Sequence, residues 1–263
     1  YEDGYKLVET PYLGMEHQSS ITYGNGFQNG YRGRDLSGTG WGLKFDFIII
    51  HESGHEWFAN SITNKDIADM WIHESFTNYS ESLFVEYYYG KEAGFEYVRG
   101  TRKGIDNDKP IIGHYDVNSE GSSDMYPKGG NMLHTLRQIV NNDEKWREIL
   151  RGLNSTFYHQ TVTTKQIEDY LSNATGVNLT AFFNQYLRDT RIPTLEYFFK
   201  KGFINFRWTN CVSGFDMPVK VTLNGAEQVL APKTEWKNIA TKTENQKLDV
   251  NRNFYVASFN ITE

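Results

Sequence analysis

The stretch His51-Glu52-Ser53-Gly54-His55, with Glu74 following after a gap of eighteen residues, constrains this chain more than any other feature. It reads H-E-x-x-H. On a helix, residues four apart lie about 40° apart around the axis and about 6 Å apart along it. Two imidazoles so placed can meet at one point about 2 Å from each, the length of a zinc–nitrogen bond. Glu52 falls beside the open coordination position, where it can accept a proton from a bound water. Zinc brings the pKa of such a water down to about 7. Three protein ligands and one open position make the catalytic form of a zinc centre. Glu74 offers the third ligand from near the start of the next expected helix. Glu81, seven residues further on and on the same face, is a candidate acceptor that orients a ligand histidine. The expected cofactor is therefore one zinc ion held by His51, His55 and Glu74, and the expected chemistry is metal-assisted hydrolysis. His17, His73, His114, His134 and His159 lack ligand spacing and are read as surface or packed residues.

Composition narrows the setting. The chain has 263 residues, enough for one large or two smaller domains, and a net charge of −6. The pI near 5.7 argues against a nucleic-acid partner, and the mean hydropathy of −0.61 suits a soluble protein. No apolar run approaches the roughly twenty residues of a membrane span. The single Cys211 excludes a disulfide framework and is read as a small apolar residue. Sequons at Asn154 and Asn178 occur at about the frequency chance gives, so glycosylation does not follow. The chain begins Tyr1-Glu2-Asp3-Gly4, without an initiator Met or leader. The expectation is either a removed leader, implying a secreted or periplasmic place, or a piece of a longer protein.

Along the chain, Tyr5 to Val8 and Ser20 to Tyr23 read as strands, and the glycine-rich stretch from Gly24 to Gly42 reads as a loop. Apolar residues recurring at three and four, with no Pro, predict a helix over 43–62. A second helix is expected from about Ile72 to Tyr89. Pro110 to Asp124 reads as loop. Further helices are expected near 128–141, 144–158, 164–174 and 179–188, with Thr163 or Thr164 capping one and Asn178 another. Arg191-Ile192-Pro193 breaks this pattern. Alternating strands follow, with Asn224-Gly225 as a hairpin turn. The expected fold class is α+β. A thermolysin-like, mainly helical catalytic domain over 1–190 would be followed by a small β-sandwich-like domain over 191–263.

Wider blocks of sequence carry a resemblance. His51-Glu52-Ser53-Gly54-His55-Glu56-Trp57-Phe58-Ala59-Asn60 resembles H-E-x-x-H-Q-W-F-G-N. Trp71-Ile72-His73-Glu74-Ser75-Phe76 resembles W-L-N-E-G-F-A, with Thr77 at the final Ala. Leu13-Gly14-Met15-Glu16-His17 resembles G-x-M-E-N, and Tyr126-Pro127-Lys128-Gly129 resembles Y-x-K-G. Along the chain the four blocks occur in the order found in the aminopeptidase N family of gluzincin zinc peptidases, whose relatives include leukotriene hydrolase, and resemble it. The resemblance covers about residues 11 to 195. It implies that Glu16 holds the free α-amino group of a peptide and that the Gly14-Met15 backbone pairs with the extended substrate. It also implies that Tyr126 donates to the oxyanion. Leu13, His17, Glu56, Ser75 and Thr77 depart from the pattern, but no catalytic group is lost. The family also carries an N-terminal β-domain and a helical C-terminal domain that this stretch does not contain. The resemblance therefore implies a catalytic-domain fragment, with the flanking domains of the same polypeptide among its partners.

The function expected is a zinc aminopeptidase acting on peptides with a free N-terminus, with Glu52 as base and Tyr126 as oxyanion donor. Two alternatives stand beside it. A thermolysin-type endopeptidase would share the ligands but leave Glu16 without a purpose. A non-catalytic scaffold of the same fold would be marked by lost ligands, and none is lost here. An epoxide-hydrolase activity would rest on fold relation alone.

Overall fold

The computed structural model describes residues 4–241 and 246–261. Near the N-terminus, strands β1 (Leu7–Glu9), β2 (Gly14–Met15) and β3 (Ile21–Tyr23) form a sheet in the order β1-β3-β2. The central strand β3 is buried, and β2 is an edge. The glycine-rich stretch that follows is irregular, as expected. It leads to helix α1 (Phe47–Gly54), whose N-cap Asp46 accepts from the Ile48 and Ile49 amides at 3.1 and 3.3 Å.

The helix predicted over 43–62 is corrected here: α1 has only eight residues. From Glu56 to Ser61 the backbone widens into a π-type turn, with the Asn60 amide donating to the His55 carbonyl at 3.0 Å. Apolar periodicity continues through this turn because Phe58 and Ile62 still face the core, so the pattern alone cannot mark where the helix ends. Strand β4 (Ile62–Asn64) then pairs in parallel with β5 (Gln160–Val162).

Helix α2 (Trp71–Tyr89) is the central rod. Twelve of its residues are buried, among them His73, Glu74, Asn78 and Glu81. It packs against α1, α3 (Lys91–Gly100) and α4 (Pro127–Val140). Helix α3 escapes the sequence reading because Gly94 and Gly100 dilute its pattern. Gly94 is needed because a Cβ there would fall 2.8 Å from the Ser82 carbonyl oxygen on α2. Helices α5 (Asp143–Thr156), α6 (Thr164–Thr175) and α7 (Thr180–Arg188) lie close to where they were expected. Thr163 caps α6 in a full capping box with Gln166. Asn178 accepts from the Thr180 amide at 3.0 Å at the start of α7.

The C-terminal part is sheet-rich. Strands β6 (Thr194–Lys200), β7 (Phe203–Thr209), β10 (Lys237–Ala240) and β12 (Ala257–Asn260) form one sheet in the order β10-β7-β6-β12. Strands β8 (Val219–Leu223), β9 (Ala226–Leu230) and β11 (Leu248–Val250) form the other, in the order β11-β8-β9. Asn224 and Gly225 both take positive φ in the β8–β9 turn, as a two-residue hairpin requires. Leu195, Ile204 and Phe206 from the first sheet share a core cluster with Val219, Val221 and Leu230 from the second. The same cluster continues through Tyr186 and Phe182 into the helices, and Cys211 packs at its margin. Among the described residues no helix is long and apolar enough to cross a membrane.

Candidate metal centre

Helices α1 and α2 bring three side chains to one point. His51 Nε2 and His55 Nε2 lie 3.2 Å apart, and each lies 3.4 Å from Glu74 Oε2. Tetrahedral zinc with bonds of about 2.0–2.1 Å sets neighbouring donor atoms about 3.3–3.4 Å apart. The triangle therefore matches one face of a tetrahedral site. Glu74 Oε2 is buried and has no hydrogen-bond partner, so the atom aimed at that point is left for an ion.

The two rings are oriented from behind. His51 Nδ1–H donates to Glu81 Oε1 at 2.8 Å, and His55 Nδ1–H donates to the Phe58 carbonyl at 3.0 Å, with Thr77 Oγ1 at 3.1 Å. Neither the Glu81 carboxylate nor the Phe58 carbonyl can donate, so both Nε2 atoms keep their lone pairs for a metal. Glu81 is fully buried and is held by the Tyr97 hydroxyl at 2.6 Å and by Asn78.

Electrostatics point the same way. Burial alone would push His51 toward its neutral form, yet the carboxylates of Glu74 and Glu81 outweigh it and raise its pKa well above the ordinary value. Burial likewise opposes ionisation of Glu74, but the two imidazoles hold its carboxyl far below the usual range. The pocket is built to host positive charge.

Other residues named from sequence gather here too. Glu52 is buried beside the ligands, and burial raises its carboxyl pKa despite the neighbouring histidines. Ligand-capable atoms of Glu16, Glu52 and His55 lie within 4.8 Å of one another. The Gly14 backbone runs close against α1: a Cβ there would stand 2.8 Å from both Glu52 Oε1 and Ile48 Cγ2. The Met15 side chain is exposed, although its backbone belongs to the edge strand β2. The Tyr126 ring stacks on His51 with centroids 5.9 Å apart. Burial and the Glu74 carboxylate push its phenol well up, so it stays an O–H donor. A cavity of about 460 Å³ opens beside His51, Glu52, Gly14 and Tyr126.

Sequence reasoning missed Phe47, which stacks on His51 at 5.2 Å, and the partners Tyr97, Thr77 and the Phe58 carbonyl. Phe47 lies four residues before His51, a spacing that could have found it. The others depend on contacts between separate elements. His73, read as packed, accepts at Nε2 from the Asn64 amide at 2.9 Å and is no ligand.

The chain is similar to known proteins. The family model "Peptidase family M1 domain" matches residues 11–186. Aminopeptidase N of Lactococcus lactis subsp. lactis is 26% identical over 162 residues, covering 57% of this chain and 19% of that protein. Leukotriene A-4 hydrolase of Xenopus laevis is 27% identical over 137 residues, covering 47% and 22%. The chain thus spans about a fifth of the length of these curated relatives. In fold it is similar to Legionella pneumophila aminopeptidase A, solved in complex with aspartic acid. That likeness has a TM-score of 0.72 and 13% identity, over 98% of this chain and 32% of that one. With the match covering residues 11–186 and the ligand triangle lying within it, the chain belongs to peptidase family M1.

Proposed function

We propose that this chain carries the catalytic region of a zinc-dependent aminopeptidase, which removes the N-terminal residue from peptides with a free amino end. The catalytic unit would be residues 1–190 and the β-sandwich-like unit residues 191–263. The observation that carries the reading is the grouping of Glu16 with Glu52 and His55, beside the His51-His55-Glu74 triangle. A hydrolytic centre needs only the triangle and Glu52. A further carboxylate a few ångströms away supplies an anion at fixed distance from the reacting bond, suited to the ammonium of a peptide N-terminus. Relatives named aminopeptidase N support the same reading.

His51, His55 and Glu74 would hold the zinc, which when bound lowers the pKa of a water and polarises the substrate carbonyl. Glu16 binds the α-amino group, and the β2 edge at Gly14-Met15 pairs with the extended chain. Glu52 takes the proton of the attacking water and passes it to the leaving amine. Tyr126 donates a hydrogen bond to the oxyanion, an effect of about 3 kcal/mol in comparable sites. Glu81 keeps His51 in the tautomer that offers Nε2.

The test uses Glu52→Gln. It should abolish hydrolysis of amino-acid anilides while zinc content stays that of the wild type. Wild-type protein should leave N-acetylated peptides uncut. Normal turnover by Glu52→Gln would overturn the mechanism, and ready cleavage of blocked peptides would make the protein an endopeptidase.

A further inference from the structure

A cavity lies beside the metal centre. Glu52 lines it, as do Gly14, His51 and Tyr126, whereas Glu16 and His55, which group with Glu52, do not. If Glu16 marks the amino end of the substrate, this cavity lies on the side of the leaving group.

Its walls are apolar at Leu13, Leu36, Phe47 and Ile48, and it contains one Lys or Arg side chain, that of Arg34. Arg34 is placed by a built device. Tyr31 to Arg34 form a two-residue turn, with Tyr31 N–H donating to Arg34 O at 2.9 Å and Arg34 N–H to Tyr31 O at 3.1 Å. Arg32 and Gly33 both take positive φ, at 49° and 76°, the conformation of a type I′ turn. Tyr31 and Arg34 therefore lie opposite each other on one face.

Buried Asn25 locks this turn to the helix that carries the zinc ligands. Its amide nitrogen donates to Gly30 O at 2.9 Å and to Asp46 Oδ1 at 2.8 Å, and its oxygen accepts from Arg32 N–H at 2.8 Å. Asp46 is the N-cap of α1. An aromatic wall runs the same way. Phe47 stacks on His51 at 5.2 Å, Tyr31 meets Phe47 edge-on at 5.5 Å, and the Arg34 guanidinium carbon sits 5.3 Å from the Tyr31 ring centre. Arg34 is exposed, and among the described residues no carboxylate pairs with it. The cavity wall thus holds two carboxylates, Glu52 and Glu81, and one exposed, uncommitted cation, Arg34.

We propose that this cavity receives the leaving side of the substrate, and that Arg34 makes the enzyme selective for peptides bearing a carboxylate in the first residues beyond the scissile bond. The carboxylate can belong to an acidic side chain or to the free end of a short peptide. A planar guanidinium pairs with either through two parallel hydrogen bonds. The inference rests on the aminopeptidase reading of the same site.

The experiment compares kcat/KM for Ala-Glu-Ala-amide with Ala-Gln-Ala-amide, and for Ala-Ala with Ala-Ala-amide, in the wild type and in Arg34→Gln. Alanine anilide, which has no leaving residue, is the control. Wild type should favour the acidic member of at least one pair by about five- to tenfold, and Arg34→Gln should abolish that preference while anilide turnover stays unchanged. The pair that responds identifies the source of the carboxylate. Arg34→Glu should move the preference toward a basic second residue. Equal rates for both members of both pairs in the wild type, or a preference that survives in Arg34→Gln, overturn this inference alone. Absence of anilide hydrolysis in the wild type overturns the aminopeptidase reading and this inference together.

Discussion

Ser75 Oγ donates a 2.7 Å hydrogen bond to the carbonyl of Met125. The residue after Glu74 is thereby tied to the residue before Tyr126, and α2 is held against the start of α4. Gly129 makes the approach possible, since a Cβ there would lie 1.9 Å from Ser75 Oγ. Ser75→Ala should cost about 1 kcal/mol of stability and lower kcat more than it raises KM, because Tyr126 loses its anchor. Gly129→Ala should destabilise by about 1–3 kcal/mol through overpacking. Ser75→Gly combined with Gly129→Ala should recover part of that loss, which urea denaturation of the three variants would reveal.

Within the ligand triangle Glu81 bonds His51. Glu81→Gln keeps the shape but removes the charge that makes His51 a stronger ligand. Zinc affinity should fall about 10- to 100-fold, measured by competition with a chelating dye. An unchanged affinity would reduce Glu81 to a packing residue.

Removing the ion should loosen the junction of α1 and α2. Without it, His51 and His55 on α1 lose the ion that would tie them to Glu74 on α2. Chelation should lower Tm by roughly 5–10 °C, as expected for a ligand present far above its dissociation constant. Added zinc should restore it. His51→Ala should show neither response in differential scanning calorimetry.

His134 should make stability depend on pH. It is fully buried on α4, against the Phe95 ring of α3, and its Nε2 meets Asn253 Oδ1 at 3.1 Å. Burial lowers its pKa to about 3. Both folded and unfolded chains hold a neutral His134 above about pH 6.5. Below that, the unfolded chain takes the proton first, so stability falls as pH drops from about 6.5 toward 3. Between pH 7 and 5 the wild type should lose roughly 1–2 kcal/mol more than His134→Asn, read as the difference between their urea-midpoint slopes.

The parts of the fold legible in sequence are those set by short-range geometry. The positions of α2 and of α4 to α7 follow from the 3.6-residue recurrence of apolar side chains, and the β8–β9 turn follows from the need for positive φ at Asn224 and Gly225. Where a local pattern is blurred, the reading fails. The α1 helix ends at Gly54 in spite of continued periodicity, and α3 forms in spite of Gly94 because α2 leaves room only for a glycine.

The site divides in the same way. The sequence by itself determined that His51 and His55 share a helical face, that Glu52 stands beside them, and that Glu74 and Glu81 occupy one face of the next helix. Those relations depend only on the rise and rotation of a helix. The tertiary structure alone decided that the three ligand atoms close to 3.2 and 3.4 Å, and that Glu81 rather than another carboxylate meets His51. It also decided that Glu16, just beyond β2, comes close to Glu52, and that Asn25 and Asp46 hold the turn that places Arg34 in the cavity wall. Apart from His51–His55 and Asn25–Arg32, these contacts join residues about 20 to 40 positions apart. Their distances depend on how the elements pack, which no local periodicity encodes.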